Sequence, residues 1–195
     1  MVLAEAVIFW VVLALLFRRD LGAIAHSSFH GGWKLGAVVV GLFAAQALVV
    51  LYVPGQSVVQ MAILTLSQVA LLLFVVLNRH LPGAALFALG IVLNIVVMVA
   101  NDGWMPITPE AYSFIHPERV VAVGERPPAS KGVILPQSET RLWILSDIVA
   151  VELPWRRTAV SIGDILLIAG AGQFIFQATA GGQIALPAPA AGRET

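Results

Sequence analysis

The feature that most constrains this fold is a set of five apolar runs, each close to the length that crosses a lipid bilayer. Hydrocarbon about 30 Å thick requires about 20 residues of helix at a rise of ~1.5 Å per residue. Backbone N–H and C=O groups have no water to bond there, and no run alternates as a barrel strand would, so helices are expected. The sequence predicts an all-α integral membrane protein with five transmembrane helices at residues 2–17, 35–53, 58–77, 82–100 and 162–180.

Composition supports the membrane class and argues against several others. Charged residues make up 11 % of the chain and the mean hydropathy is +0.91, whereas soluble domains contain about 25 % charged residues. Eleven basic and eleven acidic residues cancel, which argues against a nucleic-acid partner. The chain has no cysteine, and its four histidines form no complete ligand set, so no metal site is predicted. The lipid bilayer is the expected partner, and the composition indicates no particular cofactor.

The short connections predict how the chain threads the bilayer. The two connections that flank the third run are only four residues long, so the second, third and fourth runs are expected to be antiparallel neighbours. Basic residues in short connections favour the cytoplasmic side, and one side of the bundle would carry Arg18, Arg19, Lys34 and Arg79. We therefore expect a multi-pass protein of the cell membrane. Its N-terminus and the long connection 101–161 would lie outside, and the polar tail 181–195 in the cytoplasm. Arg156 and Arg157, beside the last run, count against this orientation.

The long connection contains one segment that is apolar but too short to span a membrane. Residues 142–153 would extend only about 18 Å as a helix, so we expect a short interfacial or re-entrant segment before the last transmembrane helix. Trp143 and Trp155 near its ends suit the headgroup level. Residues 124–136, rich in proline, glycine and charge, are expected to form a surface loop. The whole chain, 1–195, is thus expected to be a single membrane domain.

Three stretches in order carry a family resemblance. They are NRHLPGAALFALGIVLNIVVMVANDGWMP at 78–106, ETRLWILSDI at 139–148 and AVSIGDILLIAGAGQFIFQ at 159–177. Together they resemble an uncharacterised bacterial family of multi-helix membrane proteins, domain of unknown function 5317. The resemblance implies a small multi-helix membrane protein, but no activity, cofactor or catalytic residue. The chain departs from the family pattern at Asp102 and Ser146, where a glycine is usual.

Asn94 and Asn101 lie within and at the end of the fourth apolar run and are the first candidates for a site. Polar groups are costly in hydrocarbon and face a bundle interior or a cavity. The two asparagines share one helix face with Gly83 and Gly90, and on the last run Gly163 and Gly170 recur at the same seven-residue spacing. This pattern favours a helix-packing seam, with asparagines bonding across it, over a ligand site.

Asp164 stands at the start of the last run and has a structural explanation. With Ser161 it matches a capping box, in which the serine oxygen bonds the backbone N–H of Asp164 and the acid reaches back to the serine N–H. A carboxylate there also meets the positive end of the helix dipole. Structural capping by Ser161 and Asp164 is therefore favoured over proton transfer or metal binding.

Asp147 has no comparable explanation, because it lies in the middle of an apolar segment. A buried carboxylate has to be paired, hydrogen-bonded or protonated. The expected partners are Arg141, Arg156, Arg157 or the turn at Asn101.

Two hypotheses about function remain, and a third ranks below them. The first is a non-catalytic structural subunit or assembly factor of a bacterial membrane complex, with other membrane proteins or a second copy as partner. The second is a binding protein or enzyme for a lipid-like or small ligand, using a polar cluster at the outer interface made of Asn94, Asn101, Asp147 and Asp164. The third is a small transporter, disfavoured because the sequence has no inverted repeat. No catalytic residue is assigned, and the sequence leans away from an enzyme. An arginine partner for Asp147 would favour the first hypothesis, and a cavity shared with Asp164 would favour the second.

Overall fold

The structure is a computed structural model that describes residues 2–120 and 122–180. The tail expected at 181–195 lies outside the described residues. Within them the chain is mostly helical and forms seven α-helices: α1 (Val2–Leu16), α2 (Gly22–Ala25), α3 (Gly32–Tyr52), α4 (Val58–Leu77), α5 (Ala84–Ala100), α6 (Pro109–Ile115) and α7 (Ile162–Ala178). A helix thus occupies each of the five apolar runs.

Helix length separates these five helices into two groups. Among the described helices, two are long and apolar enough to cross a membrane, namely Lys34–Tyr52 within α3 and Val58–Leu77. The apolar helices α1, α5 and α7 have 15, 17 and 17 residues, so α5 and α7 extend about 26 Å each. Length and composition therefore support two spans, and they do not support the expected five.

The connection 101–161, called the cap below, corrects the expectation of an all-α fold. It contains two small sheets: β1 (Met105–Ile107) pairs in parallel with β2 (Gly132–Ile134), and β3 (Val149–Leu153) pairs antiparallel with β4 (Arg156–Val160). The latter pair is rich in β-branched residues, which suit strands. The apolar segment expected at 142–153 is accordingly split into a 3-10 turn at Trp143–Leu145 and strand β3.

The cap covers one end of the helical bundle, called the capped end. The turn between α3 and α4 lies there, because the guanidinium of Arg126 donates hydrogen bonds to the carbonyl oxygens of Val53 and Gly55. The start of α1 lies there too, since Glu5 pairs with Arg156 across 2.7 Å. A shared core of buried residues joins cap and bundle: Leu64, Val97, Met98, Trp104, Met105 and Val133. The opposite end, with connections 17–31 and 78–83, is called the open end.

The central contact of the bundle is the pair α5 and α7, where glycines of the two helices face each other. A Cβ atom added to Gly90 would lie 2.5 Å from the carbonyl oxygen of Gly163, and one added to Gly170 would lie 2.7 Å from the backbone N of Phe87. Because real side chains never approach backbone atoms so closely, only glycine fits at these positions. The glycines expected to form a seam on each run therefore pack against each other.

Candidate functional site

The glycine seam leads directly to a buried polar cluster at the capped end. One turn beyond Gly90, the amide oxygen of Asn94 accepts a hydrogen bond from Ser161 Oγ at 2.9 Å. The amide Nδ2 of Asn94 donates to Asp164 Oδ1, also at 2.9 Å. Asn94 and Ser161 are both buried. This asparagine therefore bonds across the helix seam to two residues at the start of α7.

The start of α7 is capped in a different way from a full capping box. Ser161 Oγ accepts a hydrogen bond from the backbone N–H of Asp164 at 3.0 Å, as an N-cap serine does. The Asp164 carboxylate, however, accepts its hydrogen bond from the Asn94 amide rather than from the Ser161 N–H. The acid thus links two helices, because α5 places an amide donor within its reach.

Asn101 ends α5 and holds the cap rather than joining the cluster around Asn94. Its Nδ2 donates to the carbonyl oxygens of Val97 at 2.8 Å and Arg141 at 2.9 Å, and its Oδ1 accepts from the Arg141 N–H at 2.9 Å. Both ends of the amide are thereby occupied by backbone groups. The next residue, Asp102, has φ +54°, a left-handed conformation that favours glycine. The glycine usual in the family would fit this turn without strain.

Asp147 lies beside strand β1, where its backbone N–H donates to the Pro106 oxygen at 3.1 Å. The side chain is buried, and Oδ1 has no hydrogen-bond partner within residues 2–120 and 122–180. The expected arginine partners bond elsewhere: Arg156 to Glu5, Arg157 to Glu152 and Arg141 to the carbonyl oxygen of Ala100. The prediction of an arginine partner for Asp147 is therefore wrong.

Lys131 is the cation with the largest electrostatic effect on the pKa of Asp147. The sequence did not mark it as a candidate. Burial raises the pKa of Asp147 to about 7; Lys131 opposes this shift and Asp164 adds to it. The carboxylate of Asp164 in turn raises the pKa of Lys131, with a smaller contribution in the same direction from Asp147. Lys131, Asp147 and Asp164 thus form one electrostatically linked group. No sequence signal marks Lys131, because it stands in a proline- and glycine-rich stretch expected to be a surface loop.

Arg126 in the same stretch was also missed. It is 8 % exposed. Besides its bonds to Val53 and Gly55, its guanidinium donates to the Ser130 oxygen at 2.6 Å and lies 5.8 Å from the centre of the Trp104 ring. Residues around it are therefore packed against the bundle rather than forming the expected surface loop.

The chemistry open to this site follows from its charges. A carboxyl group with a pKa near neutrality can take up or release one proton, and its unpartnered oxygen can accept a hydrogen bond from a ligand. Among the described side chains, no group of three or more His, Asp or Glu is placed to hold a metal ion.

Comparison with known proteins places the chain in a family. The family model described as "Family of unknown function (DUF5317)" matches residues 29–176. An uncharacterized protein of Thermotoga maritima is 34 % identical over 112 residues, covering 57 % of this chain and 60 % of that protein. The chain thus spans about three fifths of that relative's length. No solved structure matches the chain. Because the family model covers α3 to α7 and the whole cap, the chain belongs to the family of unknown function DUF5317.

Proposed function

We propose that this chain is a multi-pass protein of the bacterial cell membrane that serves as a non-catalytic structural subunit or assembly factor of a membrane complex. The observation that carries this proposal is the exposure of α3, which packs mainly against α4. Apart from their chain neighbours and the backbone of their own helix, no described atom lies within 4 Å of where a Cβ on Gly36 or Gly41 would stand. Glycines on membrane helices commonly permit close helix contacts. The open glycines of α3 would accept a helix of another subunit or of a second copy.

The polar residues of the seam fit the same role. Asn94 and Asn101 both use their amide groups to hold helices and cap together. Residues so engaged stabilise a scaffold, and they leave no activated nucleophile beside a base.

We further propose that all five apolar helices cross the membrane, with the cap outside. The shorter helices α5 and α7 lie at the lower limit of spanning length, about 17 residues. The basic residues of the open end, Arg18, Arg19 and Arg79, would face the cytoplasm.

Cysteine labelling tests this topology, since the chain has no cysteine of its own. A membrane-impermeant maleimide applied to whole cells should label Ser138→Cys in the cap and spare Ala25→Cys in α2. The reverse pattern would overturn the orientation, and labelling of both would overturn the multi-pass arrangement.

The partner on α3 is tested by site-specific photo-crosslinking. Val40 on α3 and Val99 on α5 are equally exposed, at 68 % and 67 %, so they form a matched pair. A benzophenone amino acid at position 40 should give a protein adduct of one discrete mass in native membranes, whereas position 99 should give none. Native sizing after gentle detergent extraction should show a complex larger than the chain. Lipid adducts alone at both positions, together with a monomer in sizing, would overturn the subunit role.

A second function is favoured by one specific observation, the unpartnered Oδ1 of Asp147 near Lys131 and Asp164. We propose as the alternative that this cluster binds a small or lipid-like ligand through a hydrogen-bond donor. A bound compound recovered from purified native protein and lost from Asp147→Asn would favour this alternative. Recovery of the same compound from both proteins would argue against it.

A further inference from the structure

A second site lies at the other end of the bundle, where the helices enclose an apolar cavity of about 360 Å³. Its walls come from α1, α4, α5 and α7, and residues 24 and 29 of the adjoining connection close one side. The aromatic residues that line it are Phe29, Phe74, Phe87 and Phe174. The Phe29 ring lies 6.0 Å from that of Phe74 and 6.1 Å from that of Phe174. The volume falls within the range of ligand pockets in proteins.

The lining offers almost no polar group to a ligand. The only amide at the cavity is that of Asn78, among the lining residues. Its Nδ2 donates to the carbonyl oxygens of Phe74 at 2.8 Å and His30 at 3.2 Å, and its Oδ1 accepts from the His30 N–H at 2.7 Å. The amide is therefore engaged by backbone groups. An apolar lining of this kind favours an apolar occupant.

The charge around the open end indicates which apolar ligand fits. The connections at this end carry Arg18, Arg19 and Arg79, and their one acid is Asp20. The Asp20 carboxylate accepts a hydrogen bond from the Gly22 N–H at 2.8 Å. Arg18 and Arg79 are exposed. Basic residues at a membrane surface attract anionic lipid headgroups.

We propose that this cavity binds one acyl chain of an anionic phospholipid, with the arginines of the open end contacting its phosphate. The inference rests on the proposed membrane placement and is independent of the accessory role. A bound acyl chain would fill the space between α1 and the α5–α7 pair. The lipid would thereby become a structural part of the bundle at the end that the cap does not cover.

Native mass spectrometry of the detergent-purified chain tests the proposal with two lipids of identical acyl chains, phosphatidylglycerol and phosphatidylcholine. We expect one phosphatidylglycerol bound per chain. Both lipids carry a phosphate, but the choline cation cancels the net charge of phosphatidylcholine. Retention of phosphatidylglycerol should therefore exceed that of phosphatidylcholine by about fivefold for each arginine beside the headgroup. Replacing Arg18 and Arg79 by glutamine should reduce retention of phosphatidylglycerol to the level of phosphatidylcholine. Equal retention of both lipids by the native protein would overturn the anionic-lipid assignment.

Variants that fill the cavity test whether the acyl chain binds there. Ala171→Phe on α7 and Val11→Phe on α1 each place a ring in the cavity, and we expect either to reduce lipid retention by about tenfold. The use of two helices keeps the test valid if one variant fails to fold. Val99→Phe adds the same ring to an exposed position on α5 and should leave retention unchanged. Retention equal to the native level in a folded Ala171→Phe or Val11→Phe protein would overturn the cavity assignment. Because the cysteine-labelling experiment reports membrane placement separately, failure of lipid binding would leave the proposed topology standing.

Discussion

Helices α3 and α7 use glycine in opposite ways. On α7, Gly163 and Gly170 face the backbone of α5, and no side chain would fit between the two helices. On α3, a Cβ added to Gly36 or Gly41 would have no described atom of another helix within 4 Å. In hydrocarbon, helix association depends on close packing and hydrogen bonds rather than on exclusion of water. The α5–α7 pair is thus closely packed within the described chain, whereas the described residues leave space beside these glycines of α3.

The largest effect that this comparison predicts comes from adding one methyl group to the α5–α7 contact and, separately, one to α3. Gly90→Ala places a Cβ 2.5 Å from the Gly163 oxygen and 2.9 Å from the Leu167 N. Both neighbours are backbone atoms, so we expect the free energy of unfolding to fall by about 3 kcal/mol. Gly41→Ala, its matched control, should leave stability unchanged or raise it by up to about 1 kcal/mol. Thermal unfolding of both variants in detergent measures the difference. Similar losses of stability in the two variants would contradict the proposed difference between the two helix surfaces.

The next effect comes from the hydrogen bonds that cross the two helix pairs. Asn94→Ala leaves Asp164 and Ser161 without their shared partner, which should lower the free energy of unfolding by about 1–3 kcal/mol. On α3, Gln46 accepts a hydrogen bond from Ser67 of α4, and Gln46→Ala should cost only about 0.6 kcal/mol, as for other single bonds between membrane helices. Denaturation in a mixed detergent series measures the loss of stability in each of the two variants. A larger loss for Gln46→Ala would place the stronger helix contact at α3.

The third prediction concerns pH and the cap. Because the folded-state pKa of Asp147 is raised to about 7 from 3.8, the folded state holds its proton more tightly than the unfolded state. The associated stability is fully present below pH 3.8 and is lost as the pH rises towards 7. Cap stability should therefore fall across that window in the native chain. Asp147→Asn should remove this part of the pH dependence, as measured by protease sensitivity of the cap between about pH 5 and about pH 8, a range that brackets the Asp147 pKa of about 7.

His26→Ala serves as the control for that experiment, since His26 lies in the connection at the open end. It should leave the cap's pH profile unaltered. An unaltered profile in Asp147→Asn would show that the carboxyl group does not control the cap.

The smallest effect is expected at the link between the cap and the start of α1. Glu5 and Arg156 form a 2.7 Å ion pair with side chains about one third exposed, 32 % and 33 %. An ion pair so exposed contributes about 0–1 kcal/mol and weakens with salt. Glu5→Gln should lower the melting temperature slightly at low salt and not at high salt. A loss as large as that of Gly90→Ala would mean that α1, rather than the α5–α7 seam, holds the bundle together.

Prediction from the sequence succeeded where the pattern was local and periodic. The apolar runs became helices, and the seven-residue spacing of Gly83 with Gly90 and of Gly163 with Gly170 marked two faces that pack together. Ser161 as the N-cap of α7 was also readable, because a cap depends on residues three positions apart. The arginine partner for Asp147 was wrong, and Lys131 was missed, because such pairing depends on residues distant in the chain.

What the sequence determined by itself is the family, the helical class and the small-residue faces of the helices. The family is indicated by the three ordered stretches that resemble it, whereas the helical class and the small-residue faces follow from composition and from periodicity within single helices. Only the tertiary structure decided that the connection between α5 and α7 contains two small sheets at one end of the bundle, that Lys131 and Asp164 act on the pKa of the buried Asp147, and that an apolar cavity opens at the other end. The physical reason is that burial, pairing of charges and cavities depend on which distant segments meet, and neither hydropathy nor spacing records those encounters.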